Sequence, residues 1–143
     1  MFKAKDIMNT KVICVRPEMP IYEAIRLLTR SNLSSLPVAD ENLKLLGVIS
    51  EKDVLHLLYD TKDHPRLKVK DFMNANITSF DAEVSLIELC DCLLLNPFRK
   101  IPITQQGMLA GVISRTDIIE TILKLKHQQN KAIRPREMNW PVE

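Results

Sequence analysis

Glycine is scarce in this chain of 143 residues: there are three, Gly47, Gly107 and Gly111. None belongs to a P-loop or to a Gly-x-Gly-x-x-Gly turn, so these glycine-based phosphate cradles are excluded. Histidine is as rare. His56, His64 and His127 fall on a helix, in a connecting stretch and near the C-terminal end, away from any patterned serine or cysteine nucleophile. With no acid/base pair arranged for chemistry, the chain does not read as an enzyme. Cys14, Cys90 and Cys92 are odd in number and lack metal-ligand spacing. They read as buried thiols rather than as a disulfide framework, a zinc site or a redox pair. No apolar run approaches the ~20 residues of a membrane span. Met1–Asp6 lacks the apolar region of a signal peptide, so a cytoplasmic protein is expected. A net charge of +2 is too small to argue for nucleic acid as a partner.

What the chain does have is a sequence written twice. Lys5-Asp6-Ile7-Met8-Asn9 returns as Lys70-Asp71-Phe72-Met73-Asn74, and Leu36-Pro37-Val38 returns as Ile101-Pro102-Ile103. Gly47-Val48-Ile49-Ser50-Glu51-Lys52-Asp53-Val54 returns as Gly111-Val112-Ile113-Ser114-Arg115-Thr116-Asp117-Ile118. The spacing is kept apart from one deletion in a turn, so two copies of one supersecondary unit are present. Each copy alone is too small to bury a full core, so a shared core is expected.

Each copy reads strand, helix, strand, strand, helix. In the first, Val12–Val15 is a β-rich run, and Pro20 opens a helix that places Ile21, Ala24, Ile25 and Leu28 on one face. Leu36–Ala39 and Leu45–Ile49 form a strand pair around the turn residues Asp40-Glu41-Asn42, and the helix after Ser50 turns Val54, Leu57 and Leu58 inward. In the second, Ile77–Phe80 is the strand, and Ser85 with Glu88 forms a capping box ahead of Leu86, Leu89, Leu93 and Leu94. Ile101–Thr104 and Leu109–Ile113 pair around Gln105-Gln106-Gly107, and Ser114 starts a helix to about Leu125. The domains are thus residues 1–60 and 69–125. A polar, proline-broken linker spans 61–68, and a flexible tail spans 126–143, whose Trp140 and cations leave a docking role open.

The Gly-Val-Ile-Ser-x-x-Asp junction supports two readings. A serine at N-cap with an acid three residues on is a capping box, which satisfies orphan N–H groups at a helix start. The same place, where a strand hands over to a helix, is where α/β folds bind ligands, and an acid there can accept ribose hydroxyls. The glycine three residues before the serine permits a close approach of something to the backbone.

Taken together in this order, these motifs over residues 4–125 resemble a tandem pair of CBS domains, the regulatory modules of cystathionine-β-synthase type. The resemblance implies an α/β (α+β) fold of two β-α-β-β-α repeats packed sheet to sheet about a pseudo-twofold axis. Two clefts between the repeats would take an adenosine compound: AMP, ADP, ATP or S-adenosylmethionine. Carried onto this chain, Asp53 and Asp117 would grip ribose hydroxyls, with Ser50 and Ser114 near ribose or phosphate. Val12 with Ile13, and Ile77 with Thr78, would offer backbone groups to adenine. Pro37 with Val38, and Pro102 with Ile103, would line its apolar slot. Arg99, Lys100 and Arg115 would meet phosphate, making the Asp117 cleft the better site, against Lys52 alone in the first repeat. The implied function is regulatory and energy-sensing: ligand occupancy is signalled to a partner, an enzyme or transporter, or to a sister subunit. A homodimer through apolar helical faces such as Leu55, Leu58, Ile119 and Ile122 is implied as well. The alternative is a nucleotide-free dimerisation or interaction module.

Overall fold

The computed structural model describes residues 2–59 and 66–126. The tail beyond Lys126, with Trp140, and most of the linker lie outside the described residues. The first half contains α1 (Ala4–Ile7), α2 (Ile21–Arg30), β1 (Ser35–Ala39), β2 (Leu45–Ser50) and α3 (Glu51–Leu55). The second contains β3 (Phe80–Asp81), α4 (Leu86–Leu95), β4 (Lys100–Gln105), β5 (Met108–Ser114) and α5 (Arg115–Leu125), after a 3₁₀ turn at Val69–Asp71. β1 and β2 pair antiparallel; β3, β4 and β5 form the other sheet, with β3 parallel to β4.

Strand alternation divides each hairpin into two faces. Leu36, Val38 and Ile49 point to one face and are fully buried in a core with Ile21, Ala24 and Leu28 of α2. Ile101, Ile103 and Ile113 do the same with Leu89 and Leu93 of α4. The opposite faces carry the cross-strand pairs Ser35–Ser50 and Pro37–Val48, and in the second hairpin Lys100–Ser114 and Pro102–Val112. These second faces turn toward each other, with Pro37, Val48, Pro102 and Val112 in one cleft, which is the sheet-to-sheet packing that the resemblance implies.

The cores do not follow the sequence boundaries. Ala4 of α1 is buried in the second core with Ile7 and Met8 against it, whereas Val69, Phe72 and Met73 pack into the first. Each lead segment therefore belongs to the other repeat's core. Matching hydrogen bonds show the pseudo-twofold relation: Asn9 and Val112 exchange both backbone bonds at 3.0 Å, and Asn74 and Val48 do so at 2.9 and 3.0 Å. Ala4 N–H donates to Val84 O and, at the related place, Val69 N–H donates to Met19 O. The repeated Lys-Asp has a local cause, since Asp6 and Asp71 each accept the backbone N–H three residues before, at 2.8 Å.

This crossing explains the two glycines before the junctions. A Cβ on Gly47 would lie 2.7 Å from Asn74 O, and one on Gly111 would lie 2.7 Å from the Met8 sulfur and 3.0 Å from Asn9 O. What approaches these glycines is the exchanged lead segment. Gly107 differs: with Gln106 it takes positive φ (79° and 54°) in the two-residue β4–β5 turn. The longer first turn is closed by Asp40 Oδ1, which accepts from Asn42 and Lys44 N–H, both at 2.9 Å. Its Leu43 carbonyl accepts from Leu109 N–H at 2.7 Å, so this longer turn also helps tie the repeats together.

Several expectations need correction. Val12–Val15 and Ile77–Phe80 are not strands: only Val15 bridges to Val38, and only Phe80 begins β3. The cause is the exchange, because residues 10–14 and 75–79 must cross from one sheet to the other. Leu58 and Leu94, expected inward, are 87% and 78% exposed. α3 ends at Leu55 in a 3₁₀ turn, which shifts Leu58 off the helical phase. Leu94 adjoins the buried Leu93 at the solvent side of α4. Ser85 Oγ accepts from Glu88 N–H at 3.3 Å, but no reciprocal bond from the Glu88 carboxylate completes a capping box. The three cysteines are free and half-buried rather than buried.

Candidate functional site

The crossing segments and the junctions build two clefts between the sheets. The chain leaves β5 at Asn9 and reaches β1 at Val15, and the intervening Val12 and Ile13 wall one cleft. Its other walls are Pro37 and Val48 of the first repeat and Lys100, Pro102, Val112, Ser114 and Asp117 of the second; its volume is about 220 Å³. The related cleft, about 250 Å³, has Ile77 and Thr78 across from Ser50 and Asp53, with Pro102, Phe98, Arg99 and Lys100 completing it. Each cleft thus combines an acid junction from one repeat with the crossing segment near the start of the other repeat's sequence. The backbone groups of Val12, Ile13, Ile77 and Thr78 make no hydrogen bond among the described residues. Ile13 is 43% exposed, a large apolar surface on the cleft wall.

Both junctions are capping boxes. Ser114 N–H donates to Asp117 Oδ2 at 2.7 Å, and Asp117 N–H donates to Ser114 Oγ at 3.2 Å. Ser50 N–H donates to Asp53 Oδ2 at 2.8 Å, and Asp53 N–H donates to Ser50 Oγ at 3.4 Å. One carboxylate oxygen is used in each case; among the described residues Oδ1 of Asp53 and of Asp117 has no partner, and each acid lines a cleft. The junctions differ in one bond. The Ser50 hydroxyl donates to Asp53 Oδ2 at 2.9 Å, whereas the Ser114 hydroxyl donates to no described residue. The Asp117 cleft therefore presents both an open acceptor and an open hydroxyl donor.

The remaining candidates divide. Val38 and Ile103 do not line the clefts: they alternate with Pro37 and Pro102 and are fully buried in the cores. Lys52 is exposed on α3 and lines neither cleft. Arg99 lines the Asp53 cleft rather than the Asp117 cleft, and Lys100 lines both. Arg115 turns away: its Nη2 donates to Leu93 O at 3.4 Å and Asn96 O at 3.2 Å, capping the C-terminal end of α4. The three cations assigned to the Asp117 cleft are thus dispersed. Lys11, which the sequence reading passed over, lines that cleft instead. Its one signal was adjacency to Val12, and only the exchange makes that adjacency matter. No group of His, Cys, Asp and Glu among the described residues could hold a metal ion, and none of their helices is long and apolar enough to cross a membrane.

Two interlocked α/β repeats, with an acid-bearing junction opening on each crevice between them, define a pseudo-symmetric two-cleft module. The chain belongs to the CBS domain family, whose model matches residues 4–60 and 69–124. It is 30% identical over 129 residues to an uncharacterized 17.7 kDa protein in the bps2 3' region of Acidianus ambivalens, covering 89% of this chain and 77% of that one. It is 26% identical over 118 residues to the uncharacterized protein MJ1225 of Methanocaldococcus jannaschii, covering 82% of this chain but 42% of that longer protein. Among solved structures it is similar to CBSX2 of Arabidopsis thaliana in complex with AMP: TM-score 0.79, 26% identity, 89% of this chain and all of that one.

Proposed function

We propose that this chain is a regulatory CBS pair that binds an adenosine-containing ligand of the AMP, ADP, ATP or S-adenosylmethionine class between its repeats. Occupancy is then signalled to a partner enzyme or transporter, or to a sister subunit, in the cytoplasm. The observation that carries this reading is the open Oδ1 of Asp117 beside the uncommitted Ser114 hydroxyl, in a cleft with an exposed isoleucine wall. A ribose supplies two vicinal hydroxyls for such an acceptor, and the unpaired backbone of Val12 and Ile13 suits an adenine edge. CBSX2, similar over nearly the whole chain, was solved with AMP. A cleft of about 220 Å³ is smaller than most ligand pockets, so the phosphates belong at its mouth. Signalling requires the ligand to favour one arrangement of the repeats over another. The exchanged lead segments supply the lever, since Val12 lies on the stretch that joins α1 in the second core to Val15 in the first.

Leu55, Leu58, Ile119 and Ile122 are each at least half exposed, so core packing does not account for them. They favour a homodimer through the helical faces, which light scattering checks directly. A second reading, a nucleotide-free interaction module, is favoured by the capping bonds that already engage both acids. A thermal-shift panel of AMP, ADP, ATP and S-adenosylmethionine separates the two. At a hundredfold excess over Kd a true ligand adds ~2.7 kcal/mol, a clear rise in Tm. No rise with any of the four overturns the adenosine reading.

A further inference from the structure

The two clefts share a charge. Lys100 lines the Asp117 cleft, the Asp53 cleft and the depression between the junctions, and its ammonium forms no hydrogen bond or ion pair among the described residues. It stands opposite Ser114 in the β4–β5 pairing. Its counterpart across the pseudo-twofold relation is Ser35, opposite Ser50, which also lines both clefts but carries no charge. Each cleft has one further cation of its own, Lys11 or Arg99. The central pair of positions therefore offers one ammonium to two sites.

We infer that Lys100 is a common phosphate-facing cation, so that an anionic ligand in one cleft withdraws it from the other and the two clefts bind with negative coupling. This rests on the reading of the clefts as adenosine sites. Lysine is a compact point charge on a flexible stem, able to turn to either side but not to neutralise two phosphates at once. The second anion meets a neutralised ammonium and the charge of the first ligand. An uncharged nucleoside meets neither penalty. Coupling between sites commonly amounts to ~5–150-fold in affinity, and about tenfold is expected here. Added salt should narrow the gap, because exposed charges are screened.

The test is titration calorimetry at low ionic strength with AMP and with adenosine. The proteins are the wild type, the single-cleft variants Asp53→Asn and Asp117→Asn, and each of these three with Lys100→Ser. Serine at position 100 restores the pairing that Ser35–Ser50 already shows to be compatible with this hairpin. In both single-cleft variants Lys100→Ser should weaken AMP about tenfold and leave adenosine within about threefold. In the wild type the second AMP should bind about tenfold more weakly than the weaker single-cleft variant does. If Lys100→Ser affects AMP in only one cleft, or if the wild-type steps equal the two single-cleft values, the clefts are independent and the inference falls while the adenosine reading stands. If neither AMP nor adenosine binds the wild type, the adenosine reading itself has failed.

Discussion

On the proposed adenosine reading Asp117 has two tasks for one carboxylate, and substitutions separate them. Oδ2 closes the cap on α5, while Oδ1 has no partner among the described residues and the residue lines the cleft. Asp117→Asn keeps an amide oxygen for the Ser114 N–H but loses the charge offered to ribose. Hydrogen bonds to a charged group contribute about 1.5–3 kcal/mol, so adenosine-ligand affinity should fall at least about tenfold with Tm nearly unchanged. Asp117→Ala should lose the affinity and also about 1 kcal/mol of stability with the cap. Calorimetry showing equal AMP affinity for wild type and Asp117→Asn removes the acid from the site. The glycines make a second ordered pair. Gly47→Ala drives a methyl against the Asn74 carbonyl, which is backbone fixed by two bonds to Val48. Gly111→Ala drives it first against the Met8 thioether, whose free torsions let it yield. Overpacking costs about 1–3 kcal/mol, and chemical denaturation should put Gly47→Ala at the upper end and Gly111→Ala at the lower.

Among the described α-helices, α1 is the shortest and depends on its surroundings. Four residues form no stable helix alone. α1 is held by Ala4 in the second core and by two ion pairs, Lys3 to Glu83 at 2.6 Å and Lys5 to Glu83 at 2.7 Å. Hydrogen bonds from Lys3 and then Lys5, with their charges, hold the Glu83 carboxyl down at about 2. A depressed carboxylate stabilises the fold fully above its ordinary value of 4.5, and this contribution is lost as pH falls from there through about 2. The pairs are exposed, so the effect is small and salt-sensitive. Glu83→Gln should lower Tm slightly at pH 7 and by less near pH 2, where most of the contribution is gone; an equal loss at both would assign Glu83 a role other than this charge.

Over the whole molecule, the exchanged lead segments make two nominal domains into one folding unit. Deleting residues 1–9 removes Ala4, Ile7 and Met8 from the second core and both backbone bonds from Val112. Losing even one large buried side chain costs about 2–5 kcal/mol, so Tm should drop by many degrees although the second repeat is intact in sequence. A deletion variant that melts like the full chain would mean that each repeat is complete without the exchange. The same crossing makes each cleft a joint product of the two repeats, the arrangement that lets occupancy bear on their relative position.

Much of this was legible in the chain. Strand alternation at Leu36-Pro37-Val38 and the helical spacing of Ile21, Ala24 and Leu28 are local patterns, and local patterns survive folding. The two Ser-x-x-Asp junctions were legible as caps, because capping acts across three residues. The repeat itself implied two copies of one unit sharing a core, and the resemblance to CBS pairs implied their pseudo-twofold relation. The exchange was not legible. Lys5–Asn9 and Lys70–Asn74 are near-identical, so nothing in either motif states whether it packs at home or across the axis. From that one ambiguity follow the loss of the first strands, the pairing of Val12 with Asp117, the arrival of Lys11 and the dispersal of Arg99 and Arg115. Residue order established the parts and their local hydrogen bonds; long-range packing chose which copy of each part would face which cleft, because apolar burial is indifferent to where along the chain a side chain comes from.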